Sequence, residues 1–294
     1  MSDLTWKVSG LFIISCLGFI YGVFSKSHTK EISNLLINVI SPVVVIISII
    51  QSPGGGYYLY YSLGAFLFCS FLCVLAYFLS ALFLSGKERN LFSFTAGTGN
   101  TGYFALPIAL SLFSEDQISI AIFIIIGVNI YEFSVGYYFM NMGRGDTKSV
   151  LHKTLRLPVL YAAILGIALK SMSFDVNNDF LLIINNFKGA YSVLGMLLIG
   201  IVLASSPKSA PDIKFMSVSL LWKHCLVPLL SLLFVFIPEE QFKVVFLMAL
   251  TPLAGNTVVF SSSLDLHPEK AATSVLLSSL ISVVLIPVCM RFVS

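Results

Sequence analysis

The chain has 294 residues, of which 57% are hydrophobic and only 11% charged, and its formal net charge is +3. Soluble domains carry about 25% charged and about 45–50% apolar residues, so a soluble protein of this composition could not cover its surface with polar groups. Together with a mean hydropathy of +0.94, this excludes a soluble domain and predicts an integral membrane protein.

Apolar residues accumulate over helix-length stretches without period-2 alternation, which favours an all-α bundle over an outer-membrane barrel. A membrane span requires roughly 20 apolar residues. We predict ten spans, at Val8–Ser25, Ile32–Ile50, Tyr57–Leu84, Leu91–Phe113, Ile118–Met140, Leu155–Lys170, Lys188–Ala204, Phe215–Ile237, Phe242–Leu264 and Ala271–Val293. The first is interpreted as a retained span because no small-residue cleavage motif follows it.

The distribution of basic residues predicts the orientation. Alternate loops contain eleven of the 17 Lys and Arg residues, whereas the opposite side contains five, and its connections "QSPGGG", "SEDQ" and "PEEQ" are neutral or acidic. Cytoplasmic loops carry the excess of Lys and Arg. We therefore expect a multi-pass protein of the cell (inner) membrane with both termini on the extracytoplasmic side.

Two halves of the chain correspond by position. A cytoplasmic linker at 141–154 separates spans one to five (1–140) from spans six to ten (155–294). Because each half has an odd number of spans, similar halves would form a 5+5 inverted repeat, the plan of many secondary transporters. The fourth span contains "GNTGYFALP" and its positional partner, the ninth, contains "TPLAGNTVVF". Both combine Gly, Asn, Thr and Pro.

These residues predict that spans four and nine are broken helices. Glycine weakens a helix and proline removes a backbone donor. Broken backbone is tolerated in a bilayer only when it is buried in protein or lines a wet cavity, and a helix N-terminus attracts anions. The alternative is that Pro and Gly only kink or pack membrane helices. The predicted substrate-binding residues are Gly99, Asn100, Thr101, Gly102, Pro107, Asn129, Pro252, Gly255 and Asn256.

Two charged residues lie inside predicted spans. Glu132 and Lys223 are both eight residues from the cytoplasmic end of their spans, roughly 12 Å at 1.5 Å per residue. We predict that they face each other as an ion pair, because isolated charges in the membrane are costly. A static pair, snorkelling of Lys223 and proton exchange during transport are all open at this point. Asn129 is either a site residue or an interhelical hydrogen-bonding residue.

The ordered motifs resemble the auxin efflux carrier family. "GNTGYFALPIALSLF" resembles its fourth span, and "ALTPLAGNTVVFSSSLDLHPEKAATSVLLSSLISVVLIP" is similar to its ninth and tenth. Weaker similarity at "CLGFIYG", "LLINVISPVVV", "LRLPVLYAAILGIAL" and "WKHCLVPLL" extends the likeness over essentially the whole chain. Asn100 and Pro252 match the crossover Asn and Pro of the family. Gly99 stands where plant members have Pro, and the third span lacks their charged residues.

The resemblance implies the fold shared with bile-acid symporters and sodium/proton antiporters. Spans one, two, six and seven would form a scaffold, and spans three to five and eight to ten a transport domain in which spans four and nine cross. The family moves organic anions, often carboxylates, by an elevator-like shift. We therefore expect a transporter of a small organic anion, with Asn100 contacting the carboxylate.

Two other functions are alternatives to an organic-anion transporter. A sodium-coupled symporter of bile-acid type would use the same crossing, and an anion channel would need a filter that the sequence does not show. We expect no enzyme, because no "HExxH" or "GxSxG" occurs, and no metal, cofactor or nucleic acid. The expected partners are the organic anion and the lipid bilayer, with a proton or sodium ion and a homodimer left open.

Overall fold

A computed structural model of the chain describes residues 3–25, 29–51, 58–84, 86–142, 158–172, 176–204 and 212–291. Every regular element in these ranges is a helix, which confirms the predicted all-α class. The predicted linker, 141–154, lies outside the described residues from residue 143 onward. The number of membrane crossings and the inverted repeat stay predictions.

The α-helices are labelled in chain order. They are α1 (Asp3–Phe24), α2 (Thr29–Leu35), α3 (Ser41–Gln51), α4 (Tyr58–Ser80), α5 (Gly86–Gly97), α6 (Leu106–Leu112), α7 (Glu115–Tyr131), α8 (Tyr137–Met140), α9 (Pro158–Ser171), α10 (Asn178–Ala204), α11 (Ile213–Leu221), α12 (Val227–Ser231), α13 (Glu239–Ala249), α14 (Asn256–Ser263) and α15 (Pro268–Met290). Single π-helical turns lie at Leu36–Ile40, Thr101–Ala105, Glu132–Gly136 and Trp222–Leu226, and a 3₁₀ turn lies at Leu232–Phe234.

Several helical stretches are suited to a bilayer. Within the described residues, five are long and apolar enough to cross a membrane: Tyr58–Ser80, Glu115–Met140, Asp179–Leu198, Ile213–Phe234 and Pro268–Met290. Shorter apolar helices run at Ile13–Phe24, Asn38–Gln51 and Tyr161–Ser171. The π turns at Glu132 and Trp222 lie inside two of the long stretches, and such turns occur frequently at functional sites.

The described chain separates into two compact units, and the first comprises Met1–Tyr58, Gly102–Ile122 and Arg156–Ser205. Its helices α1 and α10 pack at very close range. A Cβ added at Gly200 would lie 2.0 Å from the Ser15 carbonyl oxygen, and one at Gly18 would lie 2.3 Å from the Leu197 oxygen. Small residues allow this backbone approach, as in many membrane helix pairs.

The seventh predicted span begins at a lysine that the structure places inside a longer helix of the first unit. The seventh span was predicted to begin at Lys188, but α10 begins at Asn178. Lys188 is only 9% exposed, and its ammonium lies 2.6 Å from Glu115 Oε2 and 2.8 Å from Gln51 Oε1. Because its charge is paired, Lys188 is accommodated inside the helix rather than at its end.

The second unit comprises Leu59–Thr101, Phe123–Leu155 and Ser206–Ser294. Its core is an aromatic cluster around α5. Phe92 meets Phe215 and Trp222 edge-on, and Phe260 meets Phe94 and Tyr137 in the same way. These contacts join α5 to α8, α11, α14 and the π turn at Trp222, the elements that bear the site described below. The grouping of spans into scaffold and transport domains stays a prediction.

A charged cluster joins three helices of the same unit. Lys270, in the first turn of α15, donates to Glu88 of α5 and to Asp212, the N-cap of α11. Asp212 also accepts from the Phe215 N–H at 3.0 Å. The hydrogen bond from Lys270, followed by the one from Phe215, holds the pKa of Asp212 below its ordinary value of 3.8.

The close packing of α1 and α10 makes a testable prediction. We expect Gly200→Ala to lower the stability by about 1–3 kcal/mol, because the new methyl group meets the backbone of α1. Gly189→Ala in the same helix is the matched control, since nothing lies within 4 Å of its Cβ position. The apparent midpoint of thermal unfolding in detergent is the measurement. Equal midpoints for the two variants would contradict the observed packing.

The charged cluster predicts a pH dependence. We expect Asp212→Asn, which keeps the N-cap oxygen, to lower the stability by no more than about 1 kcal/mol at neutral pH, because Asp212 is partly exposed. A lowered folded-state pKa stabilises the fold above the unfolded-state pKa, and this contribution is lost as the pH falls through the folded-state value. The wild type and the variant should therefore converge below about pH 3.8. A constant difference in thermal midpoint down to lower pH would contradict the assignment.

Candidate functional site

Two helix interruptions meet in the second unit. Helix α5 ends at Gly97 and helical structure resumes at Thr101, while α13 ends at Ala249 and α14 begins at Asn256. The Asn100 N–H donates to the Pro252 carbonyl oxygen at 2.8 Å, so the irregular segments are directly bonded. The structure thus has an interruption in each stretch where the sequence predicts a broken helix.

The end of α5 is held by side chains from elsewhere in the unit. The last four carbonyls of a helix have no partner inside the helix, and in an apolar interior they must find one. The Tyr131 hydroxyl donates to Phe94 O at 3.0 Å, and the Trp222 indole N–H donates to Ala96 O at 3.1 Å. Both rings are buried. Hydrogen bonds from other parts of the unit therefore stabilise the end of α5 at the break.

The second interruption, 250–255, is held in the same way by α15. Ser282 donates to Leu250 O at 3.0 Å, and the Leu253 N–H donates to Ser278 Oγ at 2.9 Å. The same serine hydroxyl lies 2.8 Å from His224 Nε2. His224 therefore supports this segment, a role that its sequence position did not predict.

Glu132 connects the two interruptions. This residue is 2% exposed and lies in the π turn that follows α7. Thr98, in the first interruption, donates its hydroxyl to Oε1, and Asn256, at the start of α14, donates to Oε2 at 2.6 Å. Thr98 was absent from the predicted site, although its place between two glycines in "GTGN" marks it as a residue of the break.

Lys223 lies against the first interruption and is 4% exposed. A Cβ added at Gly99 would lie 2.6 Å from Lys223 Nζ and 2.6 Å from Thr251 Oγ1. The ammonium therefore covers the Gly99 backbone beside Thr251, at a place where only glycine leaves room. Glycine at this position gives the lysine direct access to the irregular backbone.

The ion pair expected between Glu132 and Lys223 is not formed as a direct contact. The two charges interact electrostatically, but both carboxylate oxygens already accept hydrogen bonds from Thr98 and Asn256. Among the residues that the structure describes, Lys223 Nζ forms no hydrogen bond and no ion pair within 4.0 Å. The site thus combines a carboxylate with two donors and an ammonium without an acceptor.

The predicted site residues are divided between the two units. Gly102 and Pro107 belong to the first unit. Pro107 is the second residue of α6 rather than part of the break, because proline is tolerated in the first turn of a helix. The Gly102 carbonyl accepts from the Tyr191 hydroxyl at 3.1 Å. Asn129 lies one turn before Glu132 on α7 and is half-buried.

The remaining predicted residues are grouped around the junction. Gly99 and Asn100 lie in the first interruption and Thr101 directly follows it, and Pro252, Gly255 and Asn256 lie in or next to the second. A Cβ at Gly255 would meet no atom within 4 Å, so there is space beside the start of α14. A helix N-terminus and a buried ammonium both favour an anion.

Comparisons with known proteins agree with a transport role. A family model described as a membrane transport protein matches residues 146–290, which include Lys223 and the second interruption. The chain is also 27% identical over 215 residues to an uncharacterized transporter of Methanocaldococcus jannaschii, covering 70% of each chain. The apolar helices and these matches place the protein in the class of multi-pass membrane transport proteins. Together with the sequence motifs, these matches support a transporter of the auxin efflux carrier family.

The two glycines at the first break should respond differently to substitution. A Cβ at Gly97 would lie 2.5 Å from the Cys69 carbonyl oxygen and 2.3 Å from the Tyr131 hydroxyl, whereas the three atoms nearest to one at Gly99 belong to the side chains of Lys223 and Thr251. We expect Gly97→Ala to lower the stability by about 1–3 kcal/mol, because the Cys69 backbone is in its way. Gly99→Ala should cost less, because Lys223 can move and the only other close atom is the Thr251 hydroxyl, which would have to give up its bond to Met248 O. Thermal unfolding of both variants in detergent makes the comparison. A larger loss for Gly99→Ala would contradict the described contacts.

Proposed function

We propose that the protein is a secondary active transporter that carries a small organic anion, a carboxylate, across the cytoplasmic membrane by an elevator-type alternating-access mechanism. One observation carries the proposal. The buried ammonium of Lys223 lies over an interrupted helix, next to the point where Asn100 bonds the second interruption.

The charges favour an anion over a cation as the bound species. The charge of Glu132 balances that of Lys223, but a buried ammonium also needs hydrogen-bond acceptors, and Lys223 has none among the described residues. A carboxylate would supply both an opposite charge and hydrogen-bond acceptors to Lys223. Glu132 offers less to a sodium ion, since Thr98 and Asn256 already donate to its two oxygens. The site therefore favours an anion carrier without a bound sodium ion over the sodium-coupled symporter.

The placement of the interruptions supports alternating access rather than a channel. They fall at corresponding positions of the two proposed five-span halves, as in secondary transporters built from inverted repeats. All of the residues that meet at the junction belong to the second unit, so a single body could carry the substrate. In this proposal that body is the transport domain, both termini face outward, and spans four and nine are the crossing helices.

The experiment is uptake by purified protein in lipid vesicles. A panel of mono- and dicarboxylates is tested with and without proton and sodium gradients. We expect at least one carboxylate to be accumulated, and we expect Asn100→Ala to abolish its uptake while the protein stays folded. Lys223→Gln removes a charged hydrogen bond of about 1.5–3 kcal/mol and should weaken apparent affinity by roughly tenfold to a hundredfold.

Asn38→Ala is the matched control, because Asn38 is exposed and, within the described residues, its side chain bonds only to Asn34 O in its own helical segment. It should transport like the wild type. Undiminished uptake by folded Asn100→Ala would remove the site assignment. Accumulation of a cation in place of every carboxylate tested would contradict the proposed substrate class.

A further inference from the structure

The junction holds two opposite charges that are almost completely buried. Glu132 is 2% exposed and Lys223 is 4% exposed. With Glu132 ionised and Lys223 protonated, the pair has no net charge. A buried site of zero net charge avoids the several kcal/mol that an uncompensated charge costs inside a membrane.

The other titratable groups near Glu132 and Lys223 do not change the net charge of the buried site. Cys69 and Tyr131 interact with Glu132, and Cys69 and His224 interact with Lys223. A thiol and a phenol are neutral at neutral pH. His224 is hydrogen-bonded to Ser278 and not to Glu132. Within the described residues, Glu132 is therefore the acidic group of the junction.

Binding of an anion disturbs this balance. A monocarboxylate paired with Lys223 leaves the negative charge of Glu132 uncompensated in the same buried volume. Transfer of one proton to the Glu132 carboxylate restores zero net charge. We propose that Glu132 is the proton-binding residue of a one-to-one symport of a proton with a monocarboxylate. This inference rests on the proposed function and adds its coupling ion.

The hydrogen bonds of Glu132 suit both protonation states. The ionised carboxylate accepts from the Thr98 hydroxyl and from Asn256 Nδ2. When one oxygen carries a proton, the hydroxyl of Thr98 can accept instead of donating, because a hydroxyl group has both capacities. Asn256 continues to donate to the other oxygen. The proton can therefore be held without an unsatisfied polar group in the interior.

The same contacts couple the proton to the substrate. Thr98 precedes Gly99 and Asn100 in the first interruption, and Asn256 follows Gly255 at the second. A rearrangement at Glu132 is therefore transmitted directly to both irregular segments. Because all of these residues lie in the second unit, proton and anion would be carried by one body.

Glu132→Gln tests the proposal by imitating the protonated state. The loaded carrier is then neutral and should still move, so exchange of internal for external carboxylate is retained. The empty carrier bears the charge of Lys223 alone, so its return should be slow. We expect net uptake driven by a proton gradient to fall at least about tenfold while exchange stays within about twofold of the wild type.

The matched control is Glu239→Gln, since the Glu239 side chain is 74% exposed. It should leave net uptake and exchange unchanged. Proton-driven net uptake by Glu132→Gln at the wild-type rate would overturn the proposal. Loss of both exchange and net uptake in a folded variant would also overturn it, because the loaded carrier is required to move.

A measurement on the wild type covers the case in which the variant does not fold. A pH indicator inside the vesicles should report one proton per monocarboxylate, and the uptake rate should not depend on membrane potential. Carboxylate uptake without proton movement would overturn this inference and leave the proposed function intact. Absence of any carboxylate uptake would instead reject the proposed function.

Discussion

The arrangement of the second unit depends on one constraint: backbone that leaves a helix inside an apolar environment must find new hydrogen-bond partners. The Asn100 N–H to Pro252 O bond, 2.8 Å long, satisfies this constraint by using one interruption to complete the other. Tyr131, Trp222, Ser278 and Ser282 satisfy further groups. These aromatic and hydroxyl side chains make the junction a stable part of the interior.

The same constraint explains how two charges are kept there. Glu132 accepts from donors on both interruptions, so the carboxylate also joins them. Lys223 occupies the room that Gly99 leaves. A buried charge is costly unless it is paired, and in the proposed function the anionic substrate would be the partner of this lysine. The contact network that holds the broken helices together is thus the one that would recognise a carboxylate and respond to a proton.

The sequence predicts this site in part. Glycine and proline act locally, so the interruptions around Gly99 and Pro252 could be inferred from residue type alone. Pro107 was misplaced because the first turn of a helix accepts proline as readily as a break does. The predicted start at Lys188 was wrong for a different reason, since its partners Glu115 and Gln51 lie far away in the chain.

Partners of this kind depend on tertiary packing, which periodicity does not encode. The same limit applies to Glu132, whose bonds to Thr98 and Asn256 join residues 34 and 124 positions apart. The meeting of the two interruptions was expected from their corresponding positions in the two halves, and the likeness to the auxin efflux carrier family added the crossing of spans four and nine. Only the structure shows that the Thr98 hydroxyl and the Asn256 amide donate hydrogen bonds to the Glu132 carboxylate.

The most direct test is whether the substrate occupies the junction itself. Gly255 has open space at its Cβ position, so Gly255→Cys should fold, in a background where the exposed Cys16 and Cys225 are replaced by serine. The measurement is the rate at which a small membrane-permeant maleimide alkylates this cysteine. We predict that a transported carboxylate at saturating concentration slows the reaction several-fold, whereas a non-transported carboxylate does not. An alkylation rate that is unaffected by the transported carboxylate would contradict it.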